Sequence, residues 1–92
     1  MISFEFPRAL GVDVNGRTSV PLDSGCTTVR AALDDLRTKA PAVLDRVVDE
    51  SGTLRPHVNI FVNDESIRFL DGLDTRVSDE ARILVLAAIS GG

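Results

Sequence analysis

The chain has 92 residues, 43% of them apolar and 26% charged, which is the composition of one small globular domain. Its net charge of −4 argues against nucleic acid, whose phosphates demand clustered Lys and Arg, and favours a protein partner with a basic docking face. With no apolar run near the roughly 18 residues of a membrane span and no segment patterned like a signal peptide, a cytoplasmic domain away from membranes is expected.

Ile2, Phe4 and Phe6 alternate with Ser3 and Glu5, the period of a half-buried strand that Pro7 ends. Asn15-Gly16 signals a turn before a second strand, about Arg17 to Leu22, so the N-terminus reads as a hairpin. Thr27 or Thr28 can cap a helix in which Val29, Ala32, Leu33, Leu36 and Ala40 make one continuous apolar face. Pro41 stops that helix because its ring removes a donor and clashes with the preceding turn. Asp35 and Lys39 stand four residues apart on its surface and are expected to pair.

Residues 42–49 carry Val43, Leu44, Val47 and Val48, enough for further helical turns, and Glu50 to Pro56 reads as loop. His57 to Asn63 then alternates as a strand, with Val58, Ile60 and Val62 on one face and Phe61 on the other. Asn63-Asp64 turns the chain into a short strand, about Ser66 to Phe69, and Asp71-Gly72 turns it again. The last strand spans Arg82 to Ala87, with Ile83 and Val85 inward and Leu84 and Leu86 outward. A hairpin, a helix and further strands give an α+β domain, a mixed sheet of about four to five strands packed on one main helix.

The ending Ser90-Gly91-Gly92 carries the chemistry. Two residues without Cβ make a slim tail that enters a narrow channel, and a free α-carboxylate at Gly92 is expected to be offered there as a reactant. A carboxylate is a poor electrophile, so such chemistry needs ATP and an activating enzyme. The bland alternative for the diglycine is a frayed terminus. Other candidate groups read as structural. Cys26 has no second cysteine to pair with, which suits a reducing compartment, though its place before a helix could lower its pKa. His57 has no nucleophile beside it in sequence, Asp34-Asp35 lies on a solvated helix face, and Asp64-Glu65 belongs to a turn. No acidic pair has metal-ligand company, and no Gly-rich phosphate loop is present.

The capped helix from Thr28-Val29, the segment Val58-Asn59-Ile60-Phe61-Val62-Asn63-Asp64-Glu65 and the ending Leu86-Ala87-Ala88-Ile89-Ser90-Gly91-Gly92 together resemble the MoaD/ThiS family of sulfur carriers. That family has the β-grasp, ubiquitin-like fold. With Ile67-Arg68-Phe69, Gly72-Leu73 and the extra segment 41–56, the chain is similar to the family's longer branch, which serves cysteine biosynthesis in actinobacteria. It departs from the family at Ala87-Ala88, where prolines often stand, which implies a more flexible tail root.

The resemblance implies a β-grasp domain over 1–87 and a flexible tail over 88–92. It implies a carrier without catalytic residues, bound cofactor or metal. ATP would be used by an adenylating and sulfurtransferring partner of the ubiquitin-activating type, which converts Gly92 first to an acyl adenylate and then to a thiocarboxylate. Gly91 and Ser90 would thread the partner's channel, and a sulfur-accepting biosynthetic enzyme would take the product. Phe61, Leu84 and Leu86, outward by alternation, are the expected docking patch. The alternatives are a ubiquitin-like protein modifier, the small subunit of a molybdopterin synthase, and an interaction module without covalent chemistry.

Overall fold

Alternation sets the N-terminal strand. In a computed structural model, which describes residues 1–10, 16–23 and 25–87, Ile2–Glu5 form β1 with Ile2 and Phe4 buried and Ser3 and Glu5 half-exposed. Strand β2 (Ser19–Leu22) pairs antiparallel to β1, with Ser3 opposite Pro21 and Phe4 opposite Val20. The Phe6 N–H donates to the Thr18 carbonyl at 2.9 Å, so the paired slots of the ladder fall at residues 18, 20 and 22. Pro21 therefore faces its missing donor outward on an edge strand, where the ladder loses nothing and a foreign strand finds no partner. The next outward donor, Asp23 N–H, is taken by the Asp35 carboxylate at 2.7 Å.

Helix α1 (Val29–Lys39) begins where the Thr28 hydroxyl accepts the Ala31 N–H at 3.1 Å. Its buried stripe of Val29, Ala32, Leu33 and Leu36, continued by Ala40, is the one the sequence spacing predicts. Pro41 ends α1 and serves as the first residue of α2 (Pro41–Val47), where a missing N–H costs nothing. Val43, Leu44 and Val47 bury the inner face of α2. The chain then closes a small loop through a bridge between Val48 and Leu54.

That loop is held by Asp49. Its Oδ1 accepts from the Ser51 hydroxyl at 2.7 Å, the Ser51 N–H at 2.9 Å and the Thr53 N–H at 3.0 Å, and these bonds hold its carboxyl below the ordinary aspartate range. The Asp35 carboxyl is lowered too, first by the Lys39 ammonium at 2.9 Å and then by the Asp23 N–H. A carboxyl depressed in the folded state contributes its stability above the unfolded pKa and loses it as pH falls through the folded value. Thermal stability is thus expected to fall as the pH drops below about 4, and Asp49→Asn to flatten part of that fall. An identical acid limb in the variant would contradict the role given to Asp49.

Strand β3 (Val58–Val62) is joined to β4 (Glu65–Ser66) by Asn63 and Asp64, both at positive φ (48° and 76°), the backbone of a tight two-residue hairpin. Here the structure corrects the sequence expectation of a strand from Ser66 to Phe69. The Ser66 hydroxyl accepts the Arg68 N–H at 3.3 Å and starts a 3₁₀ turn over Ile67–Phe69. The turn drives Ile67 into the core and leaves Phe69 88% exposed, a separation that strand alternation would forbid.

Strand β5 (Arg82–Ala87) lies at the centre of the sheet, whose order is β2-β1-β5-β3-β4. It runs parallel to β1 and antiparallel to β3, and the mixed sheet packing one face on the helices is the expected β-grasp architecture. Val20, Phe4, Ile83 and Val62 form one inward row across four strands, and the α1 stripe and the inner face of α2 close the core over them.

Candidate functional site

Central placement of β5 decides where the tail starts. Ala87 is its last residue, opposite Val58 at the beginning of β3, and Leu86 stands opposite Asn59. The strand is paired on both sides over Ile83 and Leu84, by β1 and by β3, and from Val85 to Ala87 by β3. Ser90, Gly91 and Gly92, read as the reacting end, and the expected flexible segment 88–92 as a whole, lie outside the described residues, as does Asn15 of the predicted hairpin turn.

The expected docking residues do come together. Phe61 and Leu84 are direct cross-strand partners on the open face, in a row that runs Ser19, Glu5, Leu84, Phe61, Ser66 across all five strands. Leu86, 42% exposed, lies one row nearer the tail beside Asn59. Partners in such a row stand about 5 Å apart, close enough for Phe61 and Leu84 to form one apolar surface. At the far end of the patch Arg82 ties the strands with charge, Nε to Glu5 at 3.5 Å and Nη2 to Asp64 at 3.2 Å. The Asn59 Oδ1 is buried with no hydrogen-bond partner, an unmet acceptor in the row next to the tail root.

Three features of this end were not legible as site residues. Phe69 and Leu70 are exposed because the 3₁₀ turn replaces the expected strand. Asn59 carries no sequence signal that separates it from any other outward position of a strand. Arg55 and Arg68 meet at the loop before β3 through hydrogen bonds that no local pattern announces, and Arg46 lines the same depression as Arg55. His57, exposed at that same loop, has no nucleophilic neighbour among the residues that line its surroundings: Asp45, Arg46 and Arg55.

Cys26 is not an alternative sulfur centre. Its Sγ lies 3.6 Å from the Ala31 carbonyl and packs against the core. Burial, and after it the Asp35 and Asp23 carboxylates, push its pKa up, where its position before α1 suggested the opposite. The thiol stays protonated at neutral pH. Among the described residues no three His, Cys, Asp or Glu side chains gather as a metal site, and no helix is long and apolar enough to cross a membrane. Ala87 stands opposite Val58 and Leu86 opposite Asn59, and none of these four side chains carries acid–base or nucleophilic chemistry.

Comparison with known proteins matches residues 8–92 to the model of the ThiS family. The sulfur carrier protein CysO of Mycobacterium tuberculosis is 33% identical over 93 aligned positions, 99% of this chain and 98% of that protein. A chain of the crystal structure of the BexX/CysO complex of Amycolatopsis orientalis superposes with a TM-score of 0.85 at 30% identity, covering 100% of both chains. SAMP1, a small archaeal modifier protein from Haloferax volcanii, superposes with a TM-score of 0.80 at 28% identity, covering 99% of this chain and 98% of its own.

Proposed function

Because the chain belongs to the ThiS family, and is a sulfur carrier like the mycobacterial protein it matches from end to end, we propose that its Gly92 carboxylate is the group that carries the sulfur. A carboxylate oxygen attacks the α-phosphate of ATP held by an adenylating enzyme, the bond to the β-phosphate breaks, and pyrophosphate leaves. A sulfur nucleophile then attacks the acyl carbon of this mixed anhydride and expels AMP. With hydrosulfide as that nucleophile, the C–S bond forms as the acyl–phosphate bond breaks, the sulfur's proton is lost to solvent, and Gly92 is left as a thiocarboxylate. The likeness to CysO supports cysteine formation as the destination of the sulfur, through an acceptor enzyme that docks on the same end of the sheet.

One observation carries this reading: the family match runs through the diglycine to residue 92, after a strand whose last residue, Ala87, is paired with Val58 of β3. The chain's own part is positional. It presents a slim tail from the end of β5 and an apolar face beside it, while ATP binding and catalysis belong to the partner. ATP–pyrophosphate exchange by the adenylating enzyme of the same host tests this. Exchange that requires the carrier is expected, and an enzyme indifferent to the carrier would overturn the proposal.

Docking on the open face makes a second expectation. Leu84→Arg places a cation in the middle of the Phe61–Leu84–Leu86 patch, beside Glu5, which can accept it without loss of the fold. Affinity for the adenylating enzyme is expected to fall about tenfold or more while the folding free energy changes by less than about 1 kcal/mol. An unchanged dissociation constant would remove the patch from the interface.

The likeness to SAMP1 supports a second reading, in which the same adenylate ends as an amide on a protein lysine. Lys39 is the only lysine of this chain, so chain-building on itself is restricted to one side chain. Incubation with host lysate, the adenylating enzyme and ATP separates the two: a carrier yields no covalent high-mass adducts, and a modifier does.

A further inference from the structure

Three guanidinium groups and an imidazole gather where the tail leaves the sheet. His57 directly precedes Val58, the cross-strand partner of Ala87. Arg55 Nε donates to the Asp45 carbonyl at 3.0 Å, which seats it against the end of α2, and Asp45, Arg46, Arg55 and His57 line one surface depression of about 340 Å³. Arg68 reaches the same loop from the other side, its Nη2 donating to the Pro56 carbonyl at 3.3 Å.

What sets these arginines apart is that three cations without an ion pair meet at one loop, whereas Arg8, Arg17 and Arg76, which also form none among the described residues, belong to other parts of the chain. Arg30, Arg37, Lys39 and Arg82 each contact a carboxylate, at 3.1, 3.8, 2.9 and 3.2 Å. Arg46, Arg55 and Arg68 form no ion pair among the described residues. Arg55 and Arg68 are anchored by backbone carbonyls, which orders each side chain while leaving it without an ion pair and most of its five donors unused. Asp45 lines the depression, and Asp49 feels the charge of Arg55, but the Asp49 Oδ1 is already engaged by Ser51 and Thr53. In a chain of net charge −4, three arginines without ion pairs at one loop are a local concentration of cations, with Asp45, Asp49 and Glu50 beside them.

We propose that Arg46, Arg55, His57 and Arg68 are a docking surface for carboxylates on the adenylating partner, set around the mouth of the channel that takes the tail. This rests on the reading of Gly92 as the reacting end. Tail length selects protein carboxylates over the nucleotide as the occupant. Residues 88–92, extended in a channel, span about 17 Å, so the cluster stands well short of the phosphates that meet Gly92. Planar guanidinium forks match carboxylates in paired hydrogen bonds, and unpaired cations speed the encounter with an acidic rim.

The test is the rate and equilibrium of binding to the host's adenylating enzyme, by biolayer interferometry at about 50 and about 300 mM salt. Arg46→Glu/Arg55→Glu is expected to slow association about tenfold or more at the lower salt, with the difference shrinking at the higher. Arg37→Glu/Arg76→Glu makes the same change in net charge on α1 and at the bridge to Thr28, and is expected to stay within about twofold of wild type. Arg46→Glu alone, which breaks no hydrogen bond of the domain, keeps the test valid if removing Arg55 disturbs its loop. Equal effects of the two double variants, or no salt-dependent effect of either, would overturn the proposal. So would binding of inorganic pyrophosphate to the isolated chain that the cluster variant abolishes. ATP–pyrophosphate exchange run in parallel separates the two readings. Exchange insensitive to loss of Gly92 defeats the carrier chemistry and leaves the charge result standing; unchanged association with exchange that needs Gly92 defeats only the docking surface.

Discussion

A chain lacking Gly92 is expected to fold as the full chain does and to support no detectable ATP–pyrophosphate exchange. Deleting one residue withdraws the reacting carboxylate by about 3.4 Å, and a misplacement of even 1 Å at a reacting centre costs on the order of 100-fold. Gly92→Ala keeps the length but adds a methyl group beside the reacting carbonyl in a channel sized for glycine, and should reduce kcat/KM by at least about 10³. Neither change touches the fold, because the pairing of β5 with β1 ends at Leu84 and that with β3 at Ala87, before the altered residue. The two readouts are the exchange rate and the thermal midpoint. Loss of exchange with an unchanged midpoint is the expected pair. Exchange at the wild-type rate would show that the diglycine is not the substrate end.

Phe4→Ala is expected to have the opposite profile, an intact tail on a failing domain. Phe4 is fully buried in the inward row between Val20 and Ile83, under the helix stripe, and is among the largest wholly enclosed side chains of the core. Emptying such a site costs about 3–5 kcal/mol, lost transfer energy plus the cavity left behind. A domain of this length has a total stability of about 5–14 kcal/mol, so the variant sits near or below its folding limit at 37 °C. Ser3→Ala, one residue away on the open face, is expected to stay within about 0.5 kcal/mol. Urea unfolding of the pair measures the contrast, and a Phe4→Ala loss of less than about 1 kcal/mol would mean that the inward row does not carry the core.

Where sequence and structure agree, one periodic signal dominated. The α1 stripe, the stop at Pro41 and the alternation of β3 and β5 all appear as the spacing predicts, since each buries one face against the same core. The meeting of Phe61 with Leu84 followed once those two strands paired. Ile67 to Phe69 did not yield to the same reasoning. Alternation of Ile67 and Phe69 matches a strand, yet a single side-chain bond from Ser66 and the pull of Ile67 toward the core favour a 3₁₀ turn. Cys26 stands before a helix, but burial and two nearby carboxylates outweigh that position.

Charge was the least legible property. A net value of −4 is an average, and it pointed to a basic face on the partner. Arg46, Arg55, His57 and Arg68 are spread over three elements of the chain, and only the seating of Arg55 on Asp45 and of Arg68 on Pro56 brings them to one loop. Three-dimensional placement, not composition, gathers these cations at one loop.

The central claim is that Gly92 carries the sulfur, and intact mass reads it directly. After incubation with the adenylating enzyme, ATP and a sulfur donor, replacement of the terminal hydroxyl by SH adds about 16 Da to the chain. The account predicts that gain, located at the C-terminus by fragmentation and absent from the chain without Gly92. An unchanged mass in a reaction that consumes ATP, or the same gain in the truncated chain, would contradict it.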